Sequence, residues 1–552
     1  MATLLESRRP QMFPRLSAEQ IARLEPHGRR LRTTTGQILS EAGQVHRDLL
    51  VILSGSLEIL SPTLTGEELI TVQTAGEFSG ELSTLRGLGS FVRVRVREAG
   101  EVIVIADAEL RNLVQTDSQL SELFMRAFIL RRMGLIAGER GNVLLLGSGH
   151  SSAILRLEQF LRRNNHPFHL TDTDTDPDGQ ALLERFHLAP GDLPVVLCRG
   201  ELILRNPSNA EVAACLGMNP PLDCERVRDV LVIGAGPAGL AAAVYAASEG
   251  LDALVIETTA PGGQAGSSSK IENYLGFPTG ISGLALAGRA LVQAQKFGAE
   301  VIIASSALRL HCDRRPFEVE LSGGRTVRAR AVVIASGAEY RRLELPNLND
   351  YLGLGVYFAA TSLEARLCAD QEVIVVGGGN SAGQAAVFLA EIGRHVHVVI
   401  RRASLAETMS RYLIRRIEEH QRITLHARTE VTALAGNGHL KQITWCRRPD
   451  GLPEPRDIEH LFLMTGAIPN TRWLQGCVAM DEKGFVRTGP DLQSGGGLPE
   501  GWPLTRPPLH LETSIPGIFA VGDVRCGNSK RVAAAVGEGS VCVQLIHRIL
   551  NE

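Results

Sequence analysis

Two glycine-rich loops hold the residues whose types and spacing most clearly define a chemistry in this 552-residue chain. The first, Gly234-Ala235-Gly236-Pro237-Ala238-Gly239, follows the apolar run 230–233 and precedes an alanine-rich stretch, 240–248. Strand, tight turn and helix in that order suit a dinucleotide pyrophosphate. Without side chains at Gly234 and Gly236 the backbone can approach the anion, and the helix N-terminus offers unpaired N–H groups and the positive end of its dipole. The next strand, 253–256, ends in Glu257, at the spacing of roughly 20 residues from which a carboxylate accepts hydrogen bonds from a ribose diol. The second loop, Gly377-Gly378-Gly379-Asn380-Ser381-Ala382, follows 372–376 and precedes 384–392, with Ala382 in place of the third glycine. Its following strand, 396–400, ends in Arg401-Arg402, and two guanidiniums suit a 2′-phosphate, so NADP(H) is expected there in preference to NAD(H). Gly379 to Gly383 also spell Gly-x-Ser-x-Gly, the hydrolase nucleophile elbow, but the preceding glycines and the arginine pair suit a dinucleotide better.

From Asp229 to the C-terminus further segments accompany the loops, and together they resemble the thioredoxin reductase branch of the pyridine nucleotide-disulfide oxidoreductases. Gly262-Gly263-Gln264 and Ile271-Glu272-Asn273 resemble that family's flavin-lining segments. Ala335-Ser336-Gly337 resembles its Ala-Thr-Gly turn, and Gly466 to Asn470 its Gly-x-x-Pro-Asn segment. The run Thr513 to Asp523 resembles its Thr-Ser-Ile-Pro-Gly-Ile-Phe-Ala-x-Gly-Asp stretch, which brings in Gly522 and Asp523. The resemblance implies bound FAD. Asp523 would bind the ribityl chain, and Arg531 and Ala533 of the following helix would lie beside the flavin.

Two departures qualify the likeness. The family carries Cys-x-x-Cys after a Gly-Val pair, whereas this chain reads Gly355-Val356-Tyr357-Phe358-Ala359-Ala360-Thr361-Ser362, which places Ala359 and Ser362 at the cysteine positions. Thiol–disulfide exchange needs a thiolate, and neither residue supplies one. None of the nine cysteines is spaced as Cys-x-x-Cys, leaving Cys368 and Cys526 as lone thiols near the lost motif and near Asp523. The family's His-Arg-Arg-x-x-x-Arg is Ile400-Arg401-Arg402-Ala403-Ser404-Leu405-Ala406 here, and Arg411 is the nearest cation that could compensate.

Upstream, residues 12–137 resemble a cyclic nucleotide-binding domain. A short helix near 17–24 leads into alternating strands punctuated by Gly36, Gly43, Gly55, Gly66 and Gly76, a spacing that suits a small β-roll. Gly80-Glu81-Leu82 resembles the opening of the family's phosphate-binding cassette, in which the glutamate takes the ribose 2′-hydroxyl. The cassette's phosphate-binding arginine is Ser90 here, with Arg86, Arg93 and Arg95 nearby. A long helix is expected from Ala108 to about Leu135. Residues 141–218 resemble a thioredoxin or glutaredoxin module in which Ser148-Gly149-His150-Ser151 replaces Cys-x-x-Cys and Leu193-Pro194 stands where a cis-proline is expected. Gly147-Ser148-Gly149 could alternatively cradle a phosphate.

The fold class read from these features is multidomain. An N-terminal β-roll with helices precedes a central α/β thioredoxin-like module and a C-terminal α/β flavoprotein with two dinucleotide-binding domains, FAD at 226–350 and 468–552 and NAD(P) at 351–467. A net charge of −3, 5% aromatics and the lack of a long basic run give no signal for nucleic acid or a membrane surface. No signal peptide or long uncharged apolar stretch is evident, so the cytoplasm is the expected compartment; the resemblances at both ends of the chain imply a homodimer. No metal site is expected, and no side chain is assignable as a catalytic acid or base. The function expected is an FAD-dependent NAD(P)H oxidoreductase that passes electrons to an unidentified acceptor, with a cyclic nucleotide as a potential effector. Three alternatives stay open: a ferredoxin–NADP reductase-like enzyme, a flavin- or nucleotide-responsive regulatory protein, and a thioredoxin-disulfide reductase working through a lone cysteine.

Overall fold

A computed structural model describes the chain from residue 9 to 552, apart from 45–47, 64–65, 81–83, 85–89, 91, 138–142, 150, 199–201, 269, 450 and 494–497. It divides into two compact units. One comprises 1–149, 156–223 and 292–305, and the other 150–155, 224–291 and 306–552.

In the first unit helix Ala18–Leu24 starts from a capping box, in which Ser17 and Gln20 satisfy each other's backbone N–H groups. A six-stranded antiparallel sheet follows, built on Leu49–Thr63 and Arg93–Ile105. Gly36, Gly43, Gly55, Gly66 and Gly76 all have positive φ, as the hairpin turns require. The single helix expected over 108–135 is two, Asp107–Thr116 and Ser118–Ala137. Asp117 is extended between them (φ −111°, ψ 102°) and accepts the backbone N–H groups of Gln119 and Leu120, so it ends one helix and caps the next. Phe78, Phe124 and Phe128 of this core pack ring against ring.

The same unit holds a four-stranded sheet in the order Leu202–Arg205, Val195–Cys198, Val143–Gly147, His169–Asp172. Leu193–Pro194 is cis. At the end of Val143–Gly147 the Ser148 hydroxyl bonds Asp174 at 2.5 Å and the Gly149 N–H bonds Asp172 at 3.1 Å. Carboxylates therefore take the donors that a phosphate would need, and the phosphate-loop reading of Gly147-Ser148-Gly149 is set aside.

The second unit contains two parallel-cored sheets. In the first, Val227–Ile233 lies between Ala253–Ile256 and Arg325–Ile334, and Ile518–Ala520 pairs with the far side of Arg325–Ile334. The register aligns Ile233 with Ile256 and Ile334, and Ile334 with Ala520, so four strands end along one edge. That edge delivers Gly234, Glu257, Ala335 and Gly522 together. The second sheet runs Val356–Tyr357, His460–Leu463, Glu372–Val376, His395–Ile400, Ile423–Ala427, all parallel. Val376 aligns with Val399 and Leu463, which places Gly377 and Arg401 at its carboxyl edge. Parallel sheets bind ligands along that edge. Ala338–Tyr340 and Ala467–Pro469 pair antiparallel as the two connections between the sheets. Beyond the first connection Leu343, Leu345 and Leu348 already pack with the second sheet. Among the described residues no helix is long and apolar enough to cross a membrane, and no group of three or more His, Cys, Asp or Glu residues could hold a metal.

Candidate functional site

The first loop is shaped by close backbone packing. A Cβ at Gly234 (φ +107°) would lie 2.3 Å from the Ala335 carbonyl, and one at Gly239 would lie 1.9 Å from the Gly234 carbonyl. Glycine is required at both for the turn itself. Gly236 differs. It is extended, it caps helix Pro237–Ser248, and an added Cβ would meet only the Gly263 Cα at 3.9 Å. The space in front of this helix N-terminus is therefore open, with unpaired N–H groups beside it, as a pyrophosphate needs. Ala238 is buried, and Pro237 at the first helical position has no N–H to leave unsatisfied.

Glu257 reaches back under the loop. Its carboxylate accepts the Ala235 N–H at 2.8 Å and the Thr259 N–H at 2.9 Å, which fixes its orientation at the strand end. Gly262 and Gly263 both have positive φ, and Gly263 lies against Gly236. Gln264 donates its amide to the Ala338 carbonyl on the connecting strand. Asn273, expected in the flavin-lining segment, is exposed, whereas Glu272 beside it accepts Arg416 at 2.5 Å and Lys270 at 3.0 Å. Burial alone would raise the Glu272 carboxyl, but hydrogen bonds from Arg416 and Lys270 hold it below its usual range.

The Ala335-Ser336-Gly337 turn is locked to Asn470. The Ser336 hydroxyl bonds the Asn470 carbonyl at 2.7 Å, the Asn470 amide bonds the Ser336 carbonyl at 3.0 Å, and the Asn470 N–H bonds the Gly337 carbonyl at 3.0 Å. At Gly522 (φ +74°) a Cβ would lie 2.9 Å from that of Ala238, so this turn packs directly on the first helix. Sequence reading missed what holds it. Glu538, on helix Val532–Leu550, accepts the Gly522 N–H at 2.7 Å and pairs with Arg525 at 2.6 Å, the two side chains being 15% and 13% exposed. The Asp523 carboxyl is pushed up, first by burial and partly offset by Lys530. Arg531 is the N-cap of the same helix, and it and Ala533 are exposed.

The second loop repeats the logic. Gly377 (φ +147°) would place a Cβ 2.3 Å from the Met464 carbonyl, whereas Gly379 caps helix Asn380–Ala390 with no atom within 4 Å of an added Cβ. Asn380 accepts the Ser410 N–H at 2.7 Å and Ala382 is buried. Ser381, the would-be nucleophile, lies in the first helical turn near the Tyr340 phenol, with no histidine partner among the described residues. Tyr340 also feels Asp523, so one residue of the connecting strand lies within electrostatic reach of the second loop and of the Gly522-Asp523 turn. Its phenol is pushed up by burial and stays protonated. Arg401 is exposed and makes no ion pair among the described residues; Arg402 pairs with Glu407. Arg411 is exposed at the first residue of helix Arg411–Glu419.

The lone thiols are poorly disposed to react. Cys368 is buried and its thiol is pushed up to about 12, chiefly by burial. Cys526 is also raised, by burial and then by its hydrogen bond to Asp481. In the β-roll Gly80 has positive φ, while Glu81 and Arg86 lie outside the described residues. Ser90 is 1% exposed and bonds the Val92 carbonyl at 2.7 Å. Arg93 and Arg95 do share one face, but they pair with Glu41, Glu58 and Glu67. None of these three positions presents a cation to a cyclic phosphate.

Comparison with known proteins matches two parts of the chain. The family model described as pyridine nucleotide-disulphide oxidoreductase matches residues 228–539, and the cyclic nucleotide-binding domain model matches 30–117. Thioredoxin reductase of Bacillus subtilis is 30% identical over 328 residues, covering 59% of this chain and 96% of that protein. NADPH-dependent thioredoxin reductase 3 of Arabidopsis thaliana is 31% identical over 369 residues, covering 64% of this chain and 66% of that protein. The crystal structure of Lactococcus lactis thioredoxin reductase in its FR conformation superposes with a TM-score of 0.52 at 26% identity, covering 58% of this chain and 98% of that one.

Proposed function

The chain belongs to the pyridine nucleotide-disulphide oxidoreductase family, and from that premise we propose that it is an FAD-dependent NAD(P)H oxidoreductase whose electrons leave for an external acceptor without an internal Cys-x-x-Cys. The observation that carries this is the pair of open glycine positions, Gly236 and Gly379, each capping a helix at the carboxyl edge of a parallel sheet. Glu257 at one and Arg401 at the other suit a ribose diol and a 2′-phosphate respectively. When bound, FAD supplies the acceptor for a nicotinamide hydride and the donor of electrons onward.

The chain's own groups bind and orient. The N-termini of helices Pro237–Ser248 and Asn380–Ala390 would hold the two pyrophosphates. Glu257 would bind the adenosine ribose of the first nucleotide and Asp523 the ribityl chain, as the family resemblance implies; Glu538, accepting the Gly522 N–H, holds the turn that carries Asp523. Tyr340, kept neutral by burial, lies on the connecting strand near Ser381 and within electrostatic reach of Asp523. The Arabidopsis relative's name specifies NADPH, and the free guanidinium of Arg401 supports NADPH over NADH here.

Ala359 and Ser362 supply no thiol, and the raised thiols of Cys368 and Cys526 oppose a lone-cysteine disulfide reductase. Of the acceptors, a ferredoxin, a quinone, oxygen and an external disulfide remain to be separated by assay. A regulatory role has one specific support, the cyclic nucleotide-binding domain, and cyclic AMP or cyclic GMP is the effector class to test by thermal shift. A cytoplasmic homodimer completes the proposal and is checked by light scattering and cell fractionation. The test of the enzyme reading is turnover. Purified protein should carry FAD and oxidise NADPH with at least one of these acceptors; protein that binds no flavin would overturn the reading.

A further inference from the structure

The structure joins Cys312 to Cys477, residues 165 apart in sequence, with their Cα atoms 6.0 Å apart. Cys312 follows the edge strand Ala307–His311 of the first sheet, and Cys477 lies in the segment that leaves Asn470. That segment braces both turns of the first nucleotide site. On one side of Cys477, Asn470 locks Ser336 and Gly337. On the other, the Ala479 N–H bonds the Ser514 hydroxyl at 2.9 Å, and Val486 pairs with the chain beside Gly522-Asp523, its N–H bonding the Val524 carbonyl at 3.0 Å and its carbonyl taking the Cys526 N–H at 2.9 Å. The disulfide therefore ties the brace between the two turns to the rim of the sheet.

We propose that Cys312–Cys477 is a second redox site of this protein, a thiol–disulfide exchange site for a protein dithiol, whose state sets how firmly the first nucleotide is held. Cys312 is partly exposed, whereas Cys477 is only 9% exposed, so an incoming thiolate reaches the Cys312 sulfur. Attack there breaks the S–S bond, forms a mixed disulfide at Cys312 and releases Cys477 as a thiolate that takes up a proton. The second thiol of the partner then attacks the mixed disulfide. The partner leaves oxidised as a disulfide, and Cys312 and Cys477 remain as two thiols, a transfer of two electrons and two protons. Opening the link frees the brace from the strand edge, and the loss of the cross-link restores chain freedom to the region. The structural half of the proposal needs only the cysteines; the consequence for nucleotide retention rests on the flavin reading of the first site.

The test uses the full chain. Non-reducing digestion and mass mapping should find the Cys312–Cys477 linked peptide in air-oxidised protein, and reduced thioredoxin or dithiothreitol should open it while the protein stays folded. After opening, Tm should fall and FAD should dissociate at least severalfold faster. The double variant Cys312→Ser, Cys477→Ser should match the reduced protein and no longer respond to dithiol; if it fails to fold, the reduced wild-type protein supplies the same comparison. Absence of the linked peptide, or opening that leaves both Tm and the FAD release rate unchanged, overturns the proposal. A protein that forms and opens the link but never holds FAD refutes the flavin reading and leaves the exchange site standing.

Discussion

Replacing Gly379 by alanine separates the two roles of the second glycine loop. The residue is extended (φ −95°, ψ 176°), which alanine adopts freely, and an added Cβ meets nothing within 4 Å. The cost to the fold is that of a slightly poorer helix cap, about 1 kcal/mol or less, which lowers Tm by about 2–4 °C. The same methyl occupies the approach of a pyrophosphate to the helix N-terminus. Losing one charge-assisted hydrogen bond there, about 1.5–3 kcal/mol, weakens the coenzyme by about 10- to 150-fold. The assay is the concentration of NADPH that half-bleaches the flavin under anaerobic conditions, with flavin content as the control. Gly377→Ala is the contrast. Its Cβ would lie 2.3 Å from the Met464 carbonyl at φ +147°, so it should damage the fold itself and lower Tm well beyond the Gly379→Ala value. A Gly379→Ala protein that is thermally intact and binds NADPH within threefold of wild type would show that the pyrophosphate does not approach this helix N-terminus.

Arg401→Ala should raise the KM for NADPH about tenfold and leave that for NADH unchanged, while Arg402→Ala, whose guanidinium Glu407 already engages, should do less; steady-state kinetics with both coenzymes decides. Glu538→Ala leaves Arg525 unpaired at 13% exposure and the Gly522 N–H without its acceptor, a loss of about 2–4 kcal/mol; FAD should be lost on desalting and Tm should fall by several degrees. His426 is held near 4, first by burial and then by the charges of His397 and Arg456. Because the folded state binds fewer protons than the unfolded one between about pH 4 and 6.5, stability should climb with pH across that window and level off above it. Urea titrations of wild type and His426→Gln should show the variant flatter there. Cys368→Ser and Cys526→Ser should each retain flavin reduction, and stopped-flow bleaching checks this.

The glycine loops were legible because a strand-to-helix turn dictates its residues locally: Gly234, Gly239 and Gly377 are demanded by contacts under 2.5 Å, and their spacing shows in the sequence. The helix over 108–135 was misread as continuous because apolar periodicity runs through Asp117, whose carboxylate prefers to cap. Glu538 escaped notice because its partner is a backbone N–H on a turn preceding its own helix, a contact without residue-type signature. The Cys312–Cys477 pair was invisible for another reason: the two cysteines lie on an edge strand and a distant loop that only the folded sheet brings together. Arg93 and Arg95 alternate along one strand and so share a face, but their carboxylate partners come from two other strands and a loop.

The most direct test is an electron count. NADPH is added anaerobically to the FAD-loaded protein while visible flavin absorbance and NADPH consumption are followed together. The account predicts full bleaching at one NADPH per FAD and no further uptake, since no thiol pair at 359 and 362 exchanges with the flavin. Uptake of a second NADPH per FAD before bleaching is complete, persisting in the Cys312→Ser, Cys477→Ser protein, would contradict the absence of a redox pair at 359 and 362. Bound flavin that neither NADPH nor NADH reduces would contradict the oxidoreductase assignment itself.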